Sequence, residues 1–166
     1  MTMKYPSKFK IFASQMYEGM LLLAIIFATS FIFDSLTQRT DAHYLYHTSQ
    51  TLLFTVIGLY FVLSWYRKGQ TLPMKTWGIR LVRVDKSHLK ISQLIIRYVV
   101  AWILPLIGAY IVHLTSDYIG WRSITMFIVF APFLNFVYSW FDKESIFLHD
   151  RLAGTRLIDT KSSKTI

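Results

Sequence analysis

Four runs of apolar residues, each close to the length that crosses a lipid bilayer, dominate the pattern of hydrophobic and polar positions. They cover residues 11–33, 51–66, 94–114 and 122–141. A transmembrane helix needs about 17 to 25 apolar residues, and the second run reaches that length with one or two flanking residues. Because lipid offers the backbone no hydrogen-bond partner, only a helix satisfies every amide within such a run. The pattern therefore predicts an all-α membrane protein with four transmembrane helices.

Small secondary elements are predicted in the polar stretches that follow the second and fourth runs. Residues 69–78, "GQTLPMKTWG", suit a short amphipathic helix at the cytoplasmic membrane interface, with Trp77 at head-group depth. Residues 79–84 and 155–159 have the composition of short strands. Because a lone strand leaves its edges unpaired, we expect the two to form a two-stranded β element. The pairing would hold residues 148–154 against the cytoplasmic mouth of the helix bundle.

The composition also indicates a lipid environment. Hydrophobic residues make up 54% of the 166 residues and charged residues 16%, and the mean hydropathy is +0.40. One domain of this size needs fewer apolar residues for its core, so the surplus must face lipid. We expect a single transmembrane domain over residues 1–166, in which residues 160–166 form a disordered tail. The chain contains no cysteine, which excludes disulfides, thiolate metal sites and cysteine nucleophiles.

The basic residues are distributed unequally about the four predicted helices. Of the 18 Lys and Arg residues, all but Arg39 and Arg122 lie on one side of the membrane in this topology. The positive-inside rule therefore places both the N- and C-termini in the cytoplasm. Orientation and contact with anionic lipid head groups account for the formal net charge of +9, so we expect no nucleic-acid partner.

Two of the cytoplasmic stretches are similar to those of a known family. "GQTLPMKTWGIRLVRVD", residues 69–85, together with "LHDRLAGTRLI", residues 148–158, resembles the RDD family of small bacterial membrane proteins. The resemblance covers nearly the whole chain, and the family is named for one arginine and two aspartates. It implies a multi-pass protein of the bacterial inner membrane. Transport is the usual suggestion for the family, and ion–proton exchange is proposed for some members.

The resemblance assigns family positions to individual residues. His149 and Asp150 match the "LHD" that begins the family's terminal motif. Glu18 stands where the family has an aspartate within the first helix. The family's arginine, at the start of that helix, falls on Ile11 or on its neighbour Lys10, so a lysine is the nearest basic residue there.

Three charged residues predict a network at the cytoplasmic end of the helices. Glu18 lies about 10 Å into the first helix, where a carboxylate is costly unless it faces the bundle and is paired or protonated. Arg97 lies one turn into the third helix at the same end, and its planar guanidinium can serve Glu18 and Asp150 together. We expect this network, with Lys10 and His149 beside it, to exchange ions or protons. The alternatives are a structural ion pair that locks helix packing and an Arg97 that reaches lipid phosphate instead.

The adjacent residues His149 and Asp150 allow two interpretations. An unperturbed histidine has a pKa of about 6.5, so His149 could pass protons between the cytosol and the network. Alternatively the pair caps a short helical segment over residues 151–154, with Asp150 as the N-cap. We expect the capping role for His149 and an ion-pair role for Asp150.

A polar stripe follows one face of the fourth predicted helix. Asn135, Ser139 and Asp142 fall at i, i+4 and i+7. The stripe either lines an access path to the carboxylate of the first helix or forms hydrogen bonds between helices. We expect interhelical bonding for Asn135 and leave both roles open for Ser139. Pro105 and Pro132 predict kinks in the third and fourth helices.

The remaining polar clusters do not indicate a metal site or an enzyme. Asp41, His43 and His47 lie close together outside the membrane, but two imidazoles and one carboxylate are an incomplete ligand set. We expect an interfacial belt there and no metal. No serine–histidine–aspartate set, nucleotide-binding glycine loop or HExxH motif is present in the sequence. We therefore expect no catalytic residues, no cofactor and no enzymatic activity.

Two classes of function remain. The first is a small transporter or antiporter subunit that uses Glu18, Arg97 and Asp150. Because four helices rarely enclose a transport path by themselves, it implies a homo-oligomer. The second is a non-transporting adaptor or regulator that docks another membrane protein through its basic cytoplasmic face. A Glu18→Gln substitution separates them, because it should abolish cation-driven proton flux in a transporter and leave an adaptor's partner binding intact.

Overall fold

The residues that the computed structural model describes are 5–37, 42–85, 87–142 and 146–160, without the side chains of 42–46, 122 and 140. These residues are mostly helical, with three long apolar helices and one two-stranded antiparallel sheet. The chain divides into two compact units. Unit 1 contains Met1–Leu81 and Leu157–Ile166, and unit 2 contains Val82–Arg156. The division passes through both strands, so each unit holds part of each strand.

Unit 1 is built on two long helices and a short one. Helix α1 covers Lys8–Thr37 and α2 covers Ala42–Lys68, followed by α3 over Leu72–Trp77. At about 1.5 Å per residue, α1 is about 45 Å long and α2 about 40 Å. α1 packs against both α2 and α3. The first two apolar runs are therefore helices as predicted, each extended at both ends, and both are long and apolar enough to cross a membrane.

The short helix α3 begins and ends at residues suited to those positions. Thr71 is its N-cap and accepts a hydrogen bond from the backbone N–H of Met74 at 3.4 Å. Pro73 lies in the first turn, where a missing backbone N–H costs nothing. Gly78 ends the helix with a φ of 69°, a left-handed conformation that glycine adopts readily. A short helix is thus found where the sequence predicts one, and its place at the membrane interface stays a prediction.

In unit 2 the third apolar run forms two consecutive helices, α4 (Ile91–Ala101) and α5 (Ile103–Ile119), that meet at Trp102. Pro105 has no backbone N–H, so it leaves the carbonyl of Ala101, four residues earlier, without its usual helical donor. The helical region as a whole is long and apolar enough to cross a membrane. The kink predicted from Pro105 therefore takes the form of a break three residues before the proline.

The fourth apolar run does not form one continuous α-helix. Arg122–Phe133 is a 3-10 helix, and α6 follows it over Leu134–Phe141. Residues i and i+3 eclipse in a 3-10 helix, and Phe127, Phe130 and Phe133 have successive ring centroids 6.3 Å apart. Among the described residues, three helical regions are long and apolar enough to cross a membrane, and the apolar helical part of this run, Ser123–Ser139, contains fewer residues. The predicted fourth transmembrane helix stays a prediction.

The two predicted strands and their pairing are confirmed. β1 covers Ile79–Arg83, and β2 covers Thr155–Asp159, directly after α7 (Leu148–Ala153). Within unit 1, the backbone N–H of Thr160 donates to the carbonyl of Gly78 at 2.7 Å. Alternate residues of β2 are buried, as the two-residue period of a half-buried strand requires.

Candidate functional site

In unit 1 the carboxylate of Glu18 is held by two hydroxyl groups. The Tyr60 hydroxyl, on α2, donates to Oε1 at 2.6 Å, and the Thr71 hydroxyl, at the start of α3, donates to Oε2 at 2.5 Å. Glu18 itself is half-buried on α1, and Thr71 is only 2% exposed. Three separate segments of the chain therefore meet at one carboxylate. We call Glu18, Tyr60 and Thr71 the Glu18 site.

The hydroxyl of Thr71 links the Glu18 carboxylate to the first turn of α3. A hydroxyl has one hydrogen to donate and two lone pairs that accept. The Met74 amide can only donate, so Thr71 accepts from Met74 and directs its own hydrogen to Glu18. The cap of α3 and the binding of the carboxylate thus depend on the same side chain.

The two residues before Thr71 fix its position against β1. Gly69 has a φ of 66°, and a Cβ at this position would lie 2.7 Å from the carbonyl oxygen of Leu81, which is too close for any other residue. The Leu81 N–H donates to the Gly69 carbonyl at 2.7 Å, and the side-chain Nε2 of Gln70 donates to the Ile79 carbonyl at 2.6 Å. Gly69 therefore permits the close approach to β1, Gln70 bonds to β1, and Thr71 binds the Glu18 carboxylate.

Lys10 forms an ion pair that the sequence did not indicate. Its Nζ lies 2.5 Å from Oδ2 of Asp159, at the end of β2, and Asp159 is buried. Lys10 occupies the start of α1, where the family resemblance expects a basic residue. In unit 1 this residue ties the start of the first helix to the second strand.

In unit 2 the buried charges Arg97 and Asp150 are brought together. The Arg97 Nε, on α4, donates to Oδ1 of Asp150, on α7, at 2.6 Å. The Thr155 hydroxyl donates to the same oxygen at 2.9 Å. Arg97 is 6% exposed and Asp150 0%. Buried charges of this kind persist only when they are paired and hydrogen-bonded. We call Arg97, Asp150 and Thr155 the Arg97 site.

The Arg97 site keeps the Asp150 carboxylate ionised. Burial by itself would raise the pKa of Asp150, but the Arg97 charge and its hydrogen bond, with His149 and Thr155, outweigh burial and lower the pKa overall. The carboxylate therefore holds its negative charge at neutral pH. The arrangement suits a permanent ion pair better than a proton carrier.

His149 is neutral and does not cap α7. Burial, assisted by the charge of Arg97 and opposed by that of Asp150, lowers the pKa of His149 to about 4. Its ring stacks on Phe147, with centroids 5.3 Å apart, and its Nε2 lies 3.9 Å from Oδ2 of Asp150, beyond hydrogen-bond distance.

The capping role expected for His149, and the alternative in which Asp150 is the N-cap of a 151–154 helix, are wrong, whereas Asp150 forms an ion pair as expected. Phe147 is the N-cap residue of α7, and Asp150 lies inside the first turn of that helix. Arg97 and Thr155 both bond Oδ1 of Asp150, and its other oxygen, Oδ2, accepts no backbone N–H. Gly154, with a φ of 65°, ends the helix.

The polar stripe of the fourth run is buried and bonds locally within unit 2. Asn135 donates from Nδ2 to the Ala101 carbonyl at 2.9 Å, and Ser139 donates to the Phe136 carbonyl of its own helix at 2.8 Å. Asp142 accepts from the Ile146 amide at 3.0 Å and pairs with Arg151 at 3.1 Å; these contacts join the end of α6 to α7. An access path along this stripe stays a prediction.

The predicted network falls into parts. The structure pairs Arg97 with Asp150 in unit 2, and it gives Glu18 the partners Tyr60 and Thr71 in unit 1. A network that joins all three predicted charges stays a prediction. His43 and Asp41 lie outside the described residues or side chains, and elsewhere in the described chain no three His, Asp or Glu side chains gather in a way that could hold a metal ion.

Sequence reasoning missed four residues of these sites: Tyr60, Thr71, Thr155 and Asp159. Thr71 carried a signal, because a threonine two residues before a proline and next to a glycine–glutamine pair is a typical N-cap. Thr155 lies within the terminal motif of residues 148–158. Tyr60 and Asp159 carried none, because nothing in their local sequence separates them from the chain's other tyrosines and tail charges.

Comparison with known proteins identifies one family. The sequence pattern that defines the RDD family matches residues 10–154, which include both the Glu18 site and almost all of the Arg97 site. No curated protein and no solved structure matches the chain significantly.

Proposed function

The chain belongs to the RDD family, and from that premise we propose that it exchanges a monovalent cation for a proton at the Glu18 site. Its family and its three long apolar helices make it a membrane protein. The observation that carries the proposal is a carboxylate on the apolar helix α1 whose two oxygens are held by the hydroxyls of Tyr60 and Thr71. We place the protein in the bacterial inner membrane.

The chemistry of the Glu18 site suits such an exchange. Each of the two carboxylate oxygens lies within hydrogen-bond distance of one hydroxyl oxygen. Hard cations take oxygen ligands of this kind, and a proton and a metal cation compete for the same carboxylate lone pairs. The hydroxyl donors stabilise the charged carboxylate after the proton has left and before the cation binds, and in the reverse order.

The Arg97 site has a different role in this proposal. Asp150 is ionised and locked to Arg97, so it is a poor carrier for a proton at neutral pH. We assign to this pair the positioning of α7 against α4, which contact each other within unit 2. Exchange is assigned to Glu18 alone.

We further propose that the chain crosses the membrane four times with both termini in the cytoplasm. The 12-residue 3-10 helix rises about 24 Å and the eight residues of α6 about 12 Å, whereas the hydrocarbon core is about 30 Å thick. The fourth run is therefore long enough to cross. With four crossings, the positive-inside rule favours cytoplasmic termini.

A homo-oligomer is part of the proposal. Four helices rarely enclose a transport path by themselves. The outer side of α1 carries large exposed apolar side chains, with Phe27 73%, Phe31 74% and Leu36 79% exposed. These side chains are suited to lipid or to a second copy of the chain.

The test is proton flux in proteoliposomes of the purified protein. A sodium gradient should change the internal pH, read with an enclosed dye, and potassium and lithium gradients should be compared with it. Glu18→Gln keeps the shape of the side chain and removes its exchangeable charge, so it should abolish the flux. Asp34→Asn is the matched control, because Asp34 is a second carboxylate on the same helix, and it should leave the flux unchanged.

Two results would contradict the proposal. Unmutated protein that moves no protons under any of the three gradients would exclude exchange, and it would favour an adaptor that acts through partner binding. A Glu18→Gln variant with normal flux would remove the Glu18 site from the mechanism. Size-exclusion chromatography of each variant shows whether its assembly is intact.

A further inference from the structure

Helix α3 presents an apolar and basic face on the surface of unit 1. Leu72 is 54% exposed, and Lys75 and Thr76, three and four residues later on the same side of the helix, are exposed too. Trp77 meets Phe9 of α1 edge to face, with ring centroids 6.1 Å apart, and Phe9 is 70% exposed. Trp77 lies on the other side of the helix, with the buried Pro73 and Met74. We call Leu72, Lys75 and Thr76 the α3 face.

The residues next to the α3 face along the chain are basic, and the two carboxylates close to α3, Glu18 and Asp159, are bonded to Thr71 and Lys10. Residues 67–81 contain four basic residues and no acidic one, and residues 1–17 contain three basic residues and no acidic one. Exposed apolar side chains next to lysine match the boundary between acyl chains and anionic head groups. Tryptophan favours the same depth of a bilayer. The chemistry of the α3 face is therefore complementary to an anionic phospholipid.

The α3 face is connected to the Glu18 site through the ends of the helix. At the start of α3, the Thr71 hydroxyl bonds both the Met74 amide and the Glu18 carboxylate. At its end, the Gly78 carbonyl accepts from the backbone N–H and the hydroxyl of Thr160, at 2.7 Å and 2.9 Å. A shift of α3 must therefore change the distance from the Thr71 hydroxyl to Glu18.

We propose that the α3 face binds anionic phospholipid and that this binding, by setting the position of Thr71, regulates the Glu18 site. The binding is independent of any transport activity. The regulation rests on the proposed function. The occupant is a lipid of the surrounding leaflet, whose phosphate pairs with Lys75 and whose acyl chains cover Leu72.

Binding is tested with a nitroxide at position 72. The chain has no cysteine, so Leu72→Cys gives a single labelled site in the otherwise unmutated protein. In nanodiscs that contain phosphatidylglycerol, the label should be less mobile and more accessible to oxygen than in pure phosphatidylcholine. Adding Lys75→Gln should raise the phosphatidylglycerol content needed for half of this change about fivefold, the effect of one lysine near a charged surface.

Two further variants keep the result specific. Lys68→Gln removes the same charge from the end of α2, outside the α3 face, and should leave the label's response unchanged. Lys75→Arg retains the charge, so its label should respond to phosphatidylglycerol as it does with lysine at this position. That result would show that the effect of Lys75→Gln comes from the lost charge. An equal loss in Lys68→Gln would show general attraction and would overturn the proposal, as would a label that does not respond to lipid charge.

Flux measurements then separate this inference from the proposed function. Sodium-driven proton flux should rise with phosphatidylglycerol content, and the rise should need about fivefold more of that lipid in Lys75→Gln. Flux that is independent of lipid charge would overturn the regulation and leave the exchange intact. A lipid-dependent label in a protein without flux would overturn the exchange and support the binding. Soluble glycerol phosphate that reproduces the label's response would identify free phosphate as the ligand and overturn the lipid assignment.

Discussion

The side-chain amide of Asn135 donates to the carbonyl oxygen of Ala101 at 2.9 Å, the acceptor that loses its helical donor because residue 105 is a proline. Asn135 lies on α6 and is buried, and Ala101 ends α4. A side chain of the fourth run thus supplies the hydrogen bond that the backbone lacks at the break in the third run. The contact stabilises unit 2 at a point where its backbone would otherwise leave a buried acceptor without a donor.

Asn135→Leu should therefore destabilise the protein by about 1–3 kcal/mol, the cost of a buried polar group without a partner. In a Pro105→Ala background the Ala101 carbonyl regains a helical donor, so the same substitution should cost less. Thermal unfolding in detergent of the two single variants and the double variant measures this coupling. Identical costs of Asn135→Leu in both backgrounds would contradict the assignment. Ser139→Ala, which removes a bond within one helix, serves as a control with a smaller effect.

Gly69 should be harder to replace than another glycine with the same backbone conformation. Gly69 and Gly120 have φ values of 66° and 74°, but a Cβ at 69 would lie 2.7 Å from a backbone carbonyl, and one at 120 would meet nothing within 4 Å. Gly120→Ala should cost about 1–2 kcal/mol for the left-handed backbone alone. Gly69→Ala should cost clearly more. Melting temperatures in detergent measure the difference, and equal shifts would argue against the close approach at Leu81.

Removing one partner of the Arg97–Asp150 pair should be severe. Asp150→Asn leaves a buried guanidinium without its anion and should cost about 3–5 kcal/mol. Replacing both residues by leucine should cost less than that, because no buried charge remains. Denaturation in detergent compares the three forms. Asp85→Asn, which breaks an exposed pair with Arg83, should have little effect, and a comparable loss there would show that the assay does not report burial.

Stability should depend on pH through His149. Its pKa is about 4 in the folded protein and 6.5 in the unfolded chain, so the unfolded chain binds more protons between these values. The neutral form of His149 therefore makes its full contribution to the free energy of unfolding above pH 6.5. This contribution is lost as the pH falls towards about 4, and the total loss is about 3 kcal/mol. His149→Phe should flatten this part of the unfolding profile. His113→Phe, at an exposed histidine, should keep the slope, and a profile that is unchanged in His149→Phe would refute the burial argument.

Tyr60→Phe should weaken cation exchange without abolishing it. The substitution removes one of the two hydroxyl donors to Glu18, a hydrogen bond to a charged group that is worth about 1.5–3 kcal/mol. The sodium concentration for half-maximal flux should change by about tenfold or more. Tyr66→Phe removes an exposed hydroxyl near the end of the same helix and should leave the flux unchanged. Equal behaviour of the two variants would contradict a role for Tyr60.

The features that the sequence predicted are those with a local chemical cause. The strands at 79–83 and 155–159 and the short helix α3 each follow from glycine, proline and alternating residues within a few positions. The proline at 105 predicted a disturbance, but it did not predict that Asn135, 34 residues after Ala101, donates to the carbonyl at the break. Hydropathy could not separate a 3-10 helix from an α-helix over 122–133, because the same apolar residues suit either helix.

The partners of the charged residues were harder to predict. Glu18 was expected to face Arg97 because both carry charge at corresponding depths, yet its described partners include two hydroxyls, from Tyr60 and Thr71. Tyrosine and threonine hydroxyls are uncharged, so the pattern of charged residues along the chain could not predict these partners. Lys10 and Asp159 are 149 positions apart, and only the pairing of the two strands places the second beside the first.

The position of β2 has a consequence for synthesis of the chain. Residues 155–156 belong to unit 2 and residues 157–159 to unit 1, so neither unit is complete before this strand has left the ribosome. Until then Lys10 has no Asp159, and Arg97 is synthesised 53 residues before Asp150. Both cations are therefore made before the carboxylates that neutralise them. The nascent protein would depend on the translocon, or on lipid phosphate, to shield both cations during that interval.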